Sequence, residues 1–173
     1  KSNKAQRRVV VDRVLAKLVR ALLRTPGIRL FRYTDGVAWR NLTERDVNDY
    51  VRRVADARYT SKDFRTWGGT LRVATVLADL GAPAGDREAK RNVALAMRLV
   101  AAELGNTPAI CRASYVHPIV LARYIDQGET IMPRATKKTA GGHYPEERAL
   151  IRFLDRHFPE RRRRARAGEP PTR

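Results

Sequence analysis

Amphipathic stripes of helical period, each closed by Gly or Pro, dominate this chain and restrict it to a mainly helical fold. From Asp12, an N-cap residue, Leu15, Leu18, Val19, Leu22 and Leu23 recur at i, i+3, i+4, i+7 and i+8, until Thr25-Pro26-Gly27 stops the pattern. Thr43-Glu44-Arg45-Asp46 reads as a capping box with Asp in place of Glu, opening a helix whose Val47, Tyr50, Val51 and Val54 share a face and which ends near Arg58. Ser61 caps the next, in which Trp67, Leu71, Ala74 and Leu77 or Ala78 form the buried stripe before Gly81-Ala82-Pro83. An alanine-rich helix runs from Asp86 to Leu104 and closes at Gly105-Asn106. Pro108 then starts a short helix carrying Ile110 and Cys111, and Pro118 starts another running to Tyr124. Helical periodicity returns from Pro145 to Phe158.

Strand signals are sparse. Val9 to Val11 is a β-branched run behind Gln6, Arg7 and Arg8, expected as the second half of a hairpin at the N-terminal edge, and Leu30 to Tyr33 as a brief strand before an Asp35-Gly36 turn. Gly128 to Tyr144, with Lys137-Lys138 and Gly141-Gly142, reads as a loop. The segment Arg161 to Arg173 combines four consecutive arginines with Pro170 and Pro171 and almost no apolar content, so it is expected as a disordered basic tail. The expected organisation is one domain over residues 1–160 and a tail over 161–173.

The 173 residues carry 36 Lys+Arg against 18 Asp+Glu, a formal net charge of +18. That excess attracts polyanions over roughly a Debye length, ~8–10 Å, and makes nucleic acid the leading partner. Cys111 is the only cysteine, which excludes an internal disulfide framework and a cysteine-based zinc site and points to a reducing, cytoplasmic setting. No run approaches the roughly 18 apolar residues of a membrane span, and no G-x-x-x-x-G-K-[ST] loop offers an ATP site. His117, His143 and His157 lack metal-ligand spacing, so no metal centre and no cofactor are expected. The chain opens on Lys1 without an initiator methionine, which reads as a piece of a longer protein.

Two stretches hold residues with chemistry to offer. In SKDFRTWGGT, Ser61 to Thr70, Lys62 and Arg65 are three apart in a first helical turn, on one face and beside a helix N-terminus that itself favours an anion. The pair is either a phosphate cradle or two solvated cations. In NTPAICRASY, Asn106 to Tyr115, the tyrosine precedes Val116-His117-Pro118 and so falls near a kink between helices. A phenol there is either a packing residue or a nucleophile, the latter needing nearby cations to attack phosphorus. His117 is a candidate general base, ligand or packed imidazole.

The elements Lys62-Asp63-Phe64-Arg65-Thr66-Trp67-Gly68-Gly69-Thr70 and Ser114-Tyr115-Val116-His117-Pro118 together resemble the catalytic core of type IB DNA topoisomerases in their bacterial, poxvirus-like form. The resemblance implies the multi-helical fold shared with tyrosine recombinases, bearing a small β-hairpin remnant at the N-terminus. It implies an enzyme that relaxes supercoiled double-stranded DNA through a transient 3′-phosphotyrosyl linkage, without ATP or metal, acting as a monomer on the nucleoid. Residue by residue, Tyr115 is the nucleophile, Arg65 contacts the scissile phosphate and Lys62 assists. Asn106 stands where bacterial members carry asparagine and others histidine, and Lys1 resembles the hairpin lysine that protonates the leaving oxygen. The family's first catalytic arginine and its DNA-clamping domain lie upstream of the matched elements, so this chain alone is expected to be inactive or impaired. Tyrosine recombinases usually show H-x-x-R where this chain has Lys62 to Arg65, and L-G-H where it has Leu104-Gly105-Asn106. The remaining alternative is a helical DNA-binding module without catalysis.

Overall fold

The computed structural model describes residues 9–56, 58–133 and 143–158. Lys1, the polar stretch 134–142 and the tail from 159 lie outside them. The chain divides into two compact units, Lys1–Ser61 and Lys62–Arg173.

The first unit holds α1 (Arg13–Leu23), a two-stranded antiparallel sheet of β1 (Arg32–Thr34) and β2 (Trp39–Asn41), and α2 (Glu44–Ala55). The register pairs Arg32 with Asn41, Tyr33 with Arg40 and Thr34 with Trp39. Side chains at the ends of elements do much of the ordering. Asp12 Oδ1 accepts from Leu15 N at 2.8 Å, capping α1, and Arg32 Nη2 donates to Leu22 O (3.2 Å) and Thr25 O (2.9 Å), tying β1 to the last turn of α1. Asp35 closes the hairpin turn by accepting from Val37 N and Ala38 N while pairing with Arg40 Nε. Those partners, the Ala38 N–H foremost, pull its carboxyl down to about 2. The capping box is present: Asp46 Oδ2 accepts from Thr43 N at 2.8 Å, and Thr43 Oγ1 from Asp46 N at 3.3 Å.

Two expectations need correction here. Val9 to Val11 is not a strand; the three valines are exposed and lead directly into the Asp12 cap, because a β-branched run becomes a strand only when another strand pairs with it, and no described residue does. The sheet lies instead at residues 32–41, where Leu30 to Tyr33 had been expected to form a strand. Likewise α2 stops at Ala55, not near Arg58, because Asp56 turns left-handed at φ 48°.

The second unit is a bundle of α3 (Ser61–Leu80), α4 (Asp86–Leu104), α5 (Pro108–Ser114), α6 (Pro118–Gln127) and α7 (Pro145–His157). Ser61 is the first residue of α3 and not its cap, and α6 runs one turn further than Tyr124, to the left-handed Gly128. α4 is the centre on which α5 and α6 pack. Its buried Ala89, Ala96 and Ala101 present no bulk, so neighbouring backbones approach closely, while Val93, Met97 and Val100 supply the apolar contact. One buried polar knot joins three helices: the Tyr124 hydroxyl on α6 donates to Gly81 O after α3 and accepts from Asn92 Nδ2 on α4, both at 2.9 Å. α7 is fastened at both ends. Trp67 Nε1 on α3 donates to Glu147 Oε1 at 3.3 Å, and Glu129 holds Arg156 (2.7 Å) and His157 (2.9 Å).

Candidate active site

Arg65 is exposed on the second turn of α3, yet its guanidinium is placed. Its carbon lies 4.6 Å from the centre of the Tyr115 ring, and Nη2 donates to Leu104 O at 3.2 Å. One side chain thus spans from the phenol to the C-terminal end of α4, immediately before Gly105-Asn106. Lys62 stands exposed one turn earlier on the same face, and its carbonyl accepts from Thr66 Oγ1 at 3.2 Å.

Asn106 is held by the way α4 ends. Gly105 turns left-handed at φ 65°, Asn106 N donates to Ala101 O at 2.9 Å, and Thr107 at once caps α5 by accepting from Ile110 N. With a helix stop on one side and a helix start on the other, the residue has little backbone freedom. Tyr115 is fixed in a comparable way. α5 is only seven residues, anchored by buried Cys111 and Pro108 at its start, and Tyr115 ends it with φ −131° and its N–H on Cys111 O at 2.9 Å. The half-buried phenol therefore sits in the expected kink between α5 and α6.

His117 resolves as a cap: its Nδ1 accepts from Ile119 N at 3.3 Å at the start of α6, and its ring edge meets Phe158 with centroids 5.4 Å apart. Tyr124 is fully buried in its hydrogen-bonded knot, whereas Tyr115 is half-buried and packs against the edge of the core. Among the described residues no group of three or more His, Cys, Asp or Glu side chains gathers as metal ligands would. The structure thus brings Arg65 and Tyr115 into contact and sets Arg65 on the chain end that carries Asn106, while Lys1 lies outside the described residues.

From the sequence, Thr66, Gly68, Gly69 and Thr70 add little by themselves beyond glycines that permit another backbone to come close; the structure gives three of them partners and shows that close approach at Gly69. Thr66, Gly69 and Thr70 face the residues around Tyr115: Thr70 Oγ1 accepts from His117 N at 3.0 Å, Thr66 Oγ1 lies 3.4 Å from Ser114 O, and a Cβ on Gly69 would stand 2.5 Å from Tyr115 O. Their spacing from Lys62 and Arg65 was the available signal, since 62, 65, 66, 69 and 70 form one helical stripe.

Chemically, a guanidinium laid against a phenol on a strongly basic protein can neutralise a phosphodiester beside an oxygen nucleophile. Comparison with known proteins gives the family. The family model described as the eukaryotic DNA topoisomerase I catalytic core matches residues 1–139. The chain belongs to this topoisomerase I family. The matched stretch contains Lys62, Arg65, Asn106 and Tyr115, whereas α7 lies beyond it. Over 119 residues the chain is 29% identical to the DNA topoisomerase 1B of Acanthamoeba polyphaga mimivirus, an alignment covering 64% of this chain and 35% of that protein. The chain therefore spans about a third of the length of this topoisomerase relative.

Proposed function

We propose that this chain is the tyrosine-bearing part of a type IB DNA topoisomerase of the bacterial kind, acting on double-stranded DNA. The observation that carries the reading is the seating of the Arg65 guanidinium 4.6 Å from the Tyr115 ring, with residues of the two motifs meeting inside one helical unit. Asn106, where other branches carry histidine, favours the bacterial branch.

Tyr115 Oη attacks the phosphorus of a backbone phosphodiester. A tyrosyl O–P bond forms as the bond from phosphorus to the 5′ oxygen breaks, leaving a 3′-phosphotyrosyl linkage and a 5′ hydroxyl. The phenolic proton leaves to solvent, and the 5′ oxygen takes its proton from Lys1, the general acid that the resemblance implies. Arg65, Lys62 and Asn106 bear the charge gathering on the non-bridging oxygens, a kind of help worth about 3–4 kcal/mol per donor. The linkage keeps the energy of the broken bond, so religation by the 5′ hydroxyl needs no nucleotide, and rotation of the free strand between the two steps relaxes supercoils. All these residues lie on one chain, so a monomer suffices.

The test is relaxation of supercoiled plasmid in EDTA without ATP, comparing this chain, the chain extended upstream in its natural gene product, and the extended Tyr115→Phe variant. Relaxation by the extended protein that vanishes in the variant supports the reading. Firm DNA binding with no relaxation refutes it in favour of a recombinase or a binding module.

A further inference from the structure

We infer that Thr70, helped by Thr66 and Gly69, is a positioning residue that aims the Tyr115 phenol; this rests on the reading of Tyr115 as the nucleophile. The three residues stand at i, i+3 and i+4 on α3, and they meet successive parts of one short backbone stretch. Thr66 Oγ1 lies 3.4 Å from Ser114 O, the carbonyl of the peptide entering Tyr115. Gly69 faces Tyr115 O, so closely that any side chain there would push the tyrosine backbone away. Thr70 Oγ1 accepts from His117 N at 3.0 Å, and the residue is only 3% exposed.

A seven-residue helix does not dictate what its last residue does, and Tyr115 leaves helical geometry with ψ 2° and φ −131°. The grip from α3 supplies that missing constraint on both sides of the residue. Thr66 is the weaker hand, since its single hydroxyl hydrogen is shared with Lys62 O at 3.2 Å. Thr70 is the stronger, being itself buried and accepting the part-buried His117 N–H at 3.0 Å. Because Lys62 and Arg65 project from the same helix, α3 acts as one rigid body fixing the distance from the cations to the phenol. Nucleophilic attack is sensitive to that distance: a misplacement of about 1 Å can cost ~10²-fold in rate.

The experiment measures single-turnover DNA cleavage and religation by the full-length protein and its Thr70→Val, Thr70→Ser, Thr66→Val, Gly69→Ala and Tyr115→Phe variants, alongside DNA affinity and melting temperature. Thr70→Val keeps the shape but loses the acceptor, and slows cleavage and religation alike by ~10–100-fold with DNA affinity retained. Thr70→Ser keeps the acceptor and recovers most of the rate. Gly69→Ala slows both steps at least as much, and Thr66→Val, at a half-buried position where the isosteric side chain fits, slows them several-fold. A substrate with a better 5′ leaving group does not restore the cleavage rate, because the defect is in aiming the nucleophile. Wild-type cleavage by Thr70→Val or, should that variant not fold, by Thr66→Val overturns the inference. Equal loss in Thr70→Ser and Thr70→Val also overturns it. Cleavage by Tyr115→Phe refutes the nucleophile assignment itself, an outcome distinct from the others.

Discussion

Replacing Tyr124 by Phe removes one oxygen and strands two partners, and the structure says how much each is worth. Asn92 is 7% exposed and its Nδ2 donates to the Tyr124 hydroxyl, so the amide loses its acceptor with little access to water, at about 1–3 kcal/mol. Gly81 O is only part-buried at the end of α3, where solvent can take over, which places it near the lower end, at about 1 kcal/mol. The expected loss is therefore about 2–4 kcal/mol of the second unit's stability. It is read from urea unfolding followed by far-UV circular dichroism. Removing Asn92 as well, in Tyr124→Phe/Asn92→Ala, costs less than the sum of the single changes, because the shared bond is lost only once. DNA cleavage by folded Tyr124→Phe stays at the wild-type rate, while Tyr115→Phe does the reverse, sparing stability and abolishing attachment. A stability loss under about 0.5 kcal/mol, or strict additivity with Asn92→Ala, refutes the account of the knot.

Arg65→Ala lowers the cleavage rate by ~10²–10³-fold with little change in melting temperature, since the side chain is exposed and its proposed role is on the phosphate; single-turnover cleavage measures it. Glu147 is held below the usual carboxylate range chiefly by the Tyr144 backbone N–H, with the Trp67 indole and His143 adding to it against the effect of burial. A carboxyl lowered on folding stabilises the fold above its unfolded value, so this contribution begins to fade below about pH 4.5 and is gone once the pH passes the lowered folded value. In a Trp39→Phe background, the acid-side fall in melting temperature, followed by Trp67 emission, is shallower for Glu147→Gln than for its parent. Thr43→Ala opens the capping box of α2 and costs about 1 kcal/mol, measured by denaturant unfolding of the first unit.

What could be read in the sequence was whatever local chemistry decides. Asp12, Thr43, Thr107 and the left-handed glycines 81, 105 and 128 start or stop helices through contacts within a turn of chain, so their message is written beside the element they bound. Val9 to Val11 misled because a strand needs a partner that its own residues do not name. The end of α2 misled because Asp56 adopts a conformation for which glycine is the usual signal. In the candidate site, Arg65, Asn106 and Tyr115 stood out by their motifs, and packing lays Arg65 over the Tyr115 ring. The close backbone approach that a helix glycine permits was legible at Gly69, but the partners of Thr66 and Thr70 were not, because what they touch lies more than forty residues further along and is brought there only by packing.

That packing also explains why cations and grip share one helix. The stripe of α3 that begins with Lys62 and Arg65 continues through Thr66, Gly69 and Thr70 to Val73, Val76 and Leu77, which are buried in the core. The helix therefore runs from solvent into the interior along a single face, and each residue type sits at the depth it tolerates: charges where water and an incoming anion reach them, hydroxyls and a glycine at the boundary, aliphatic side chains below. A cation moved one turn deeper would lose its hydration without meeting a phosphate, and a threonine moved one turn outward would miss the peptide it holds. The core thus anchors α3 at one end so that its other end presents Arg65 against Tyr115 in a fixed relation, and the contiguity of the motif follows from that division of one helical face.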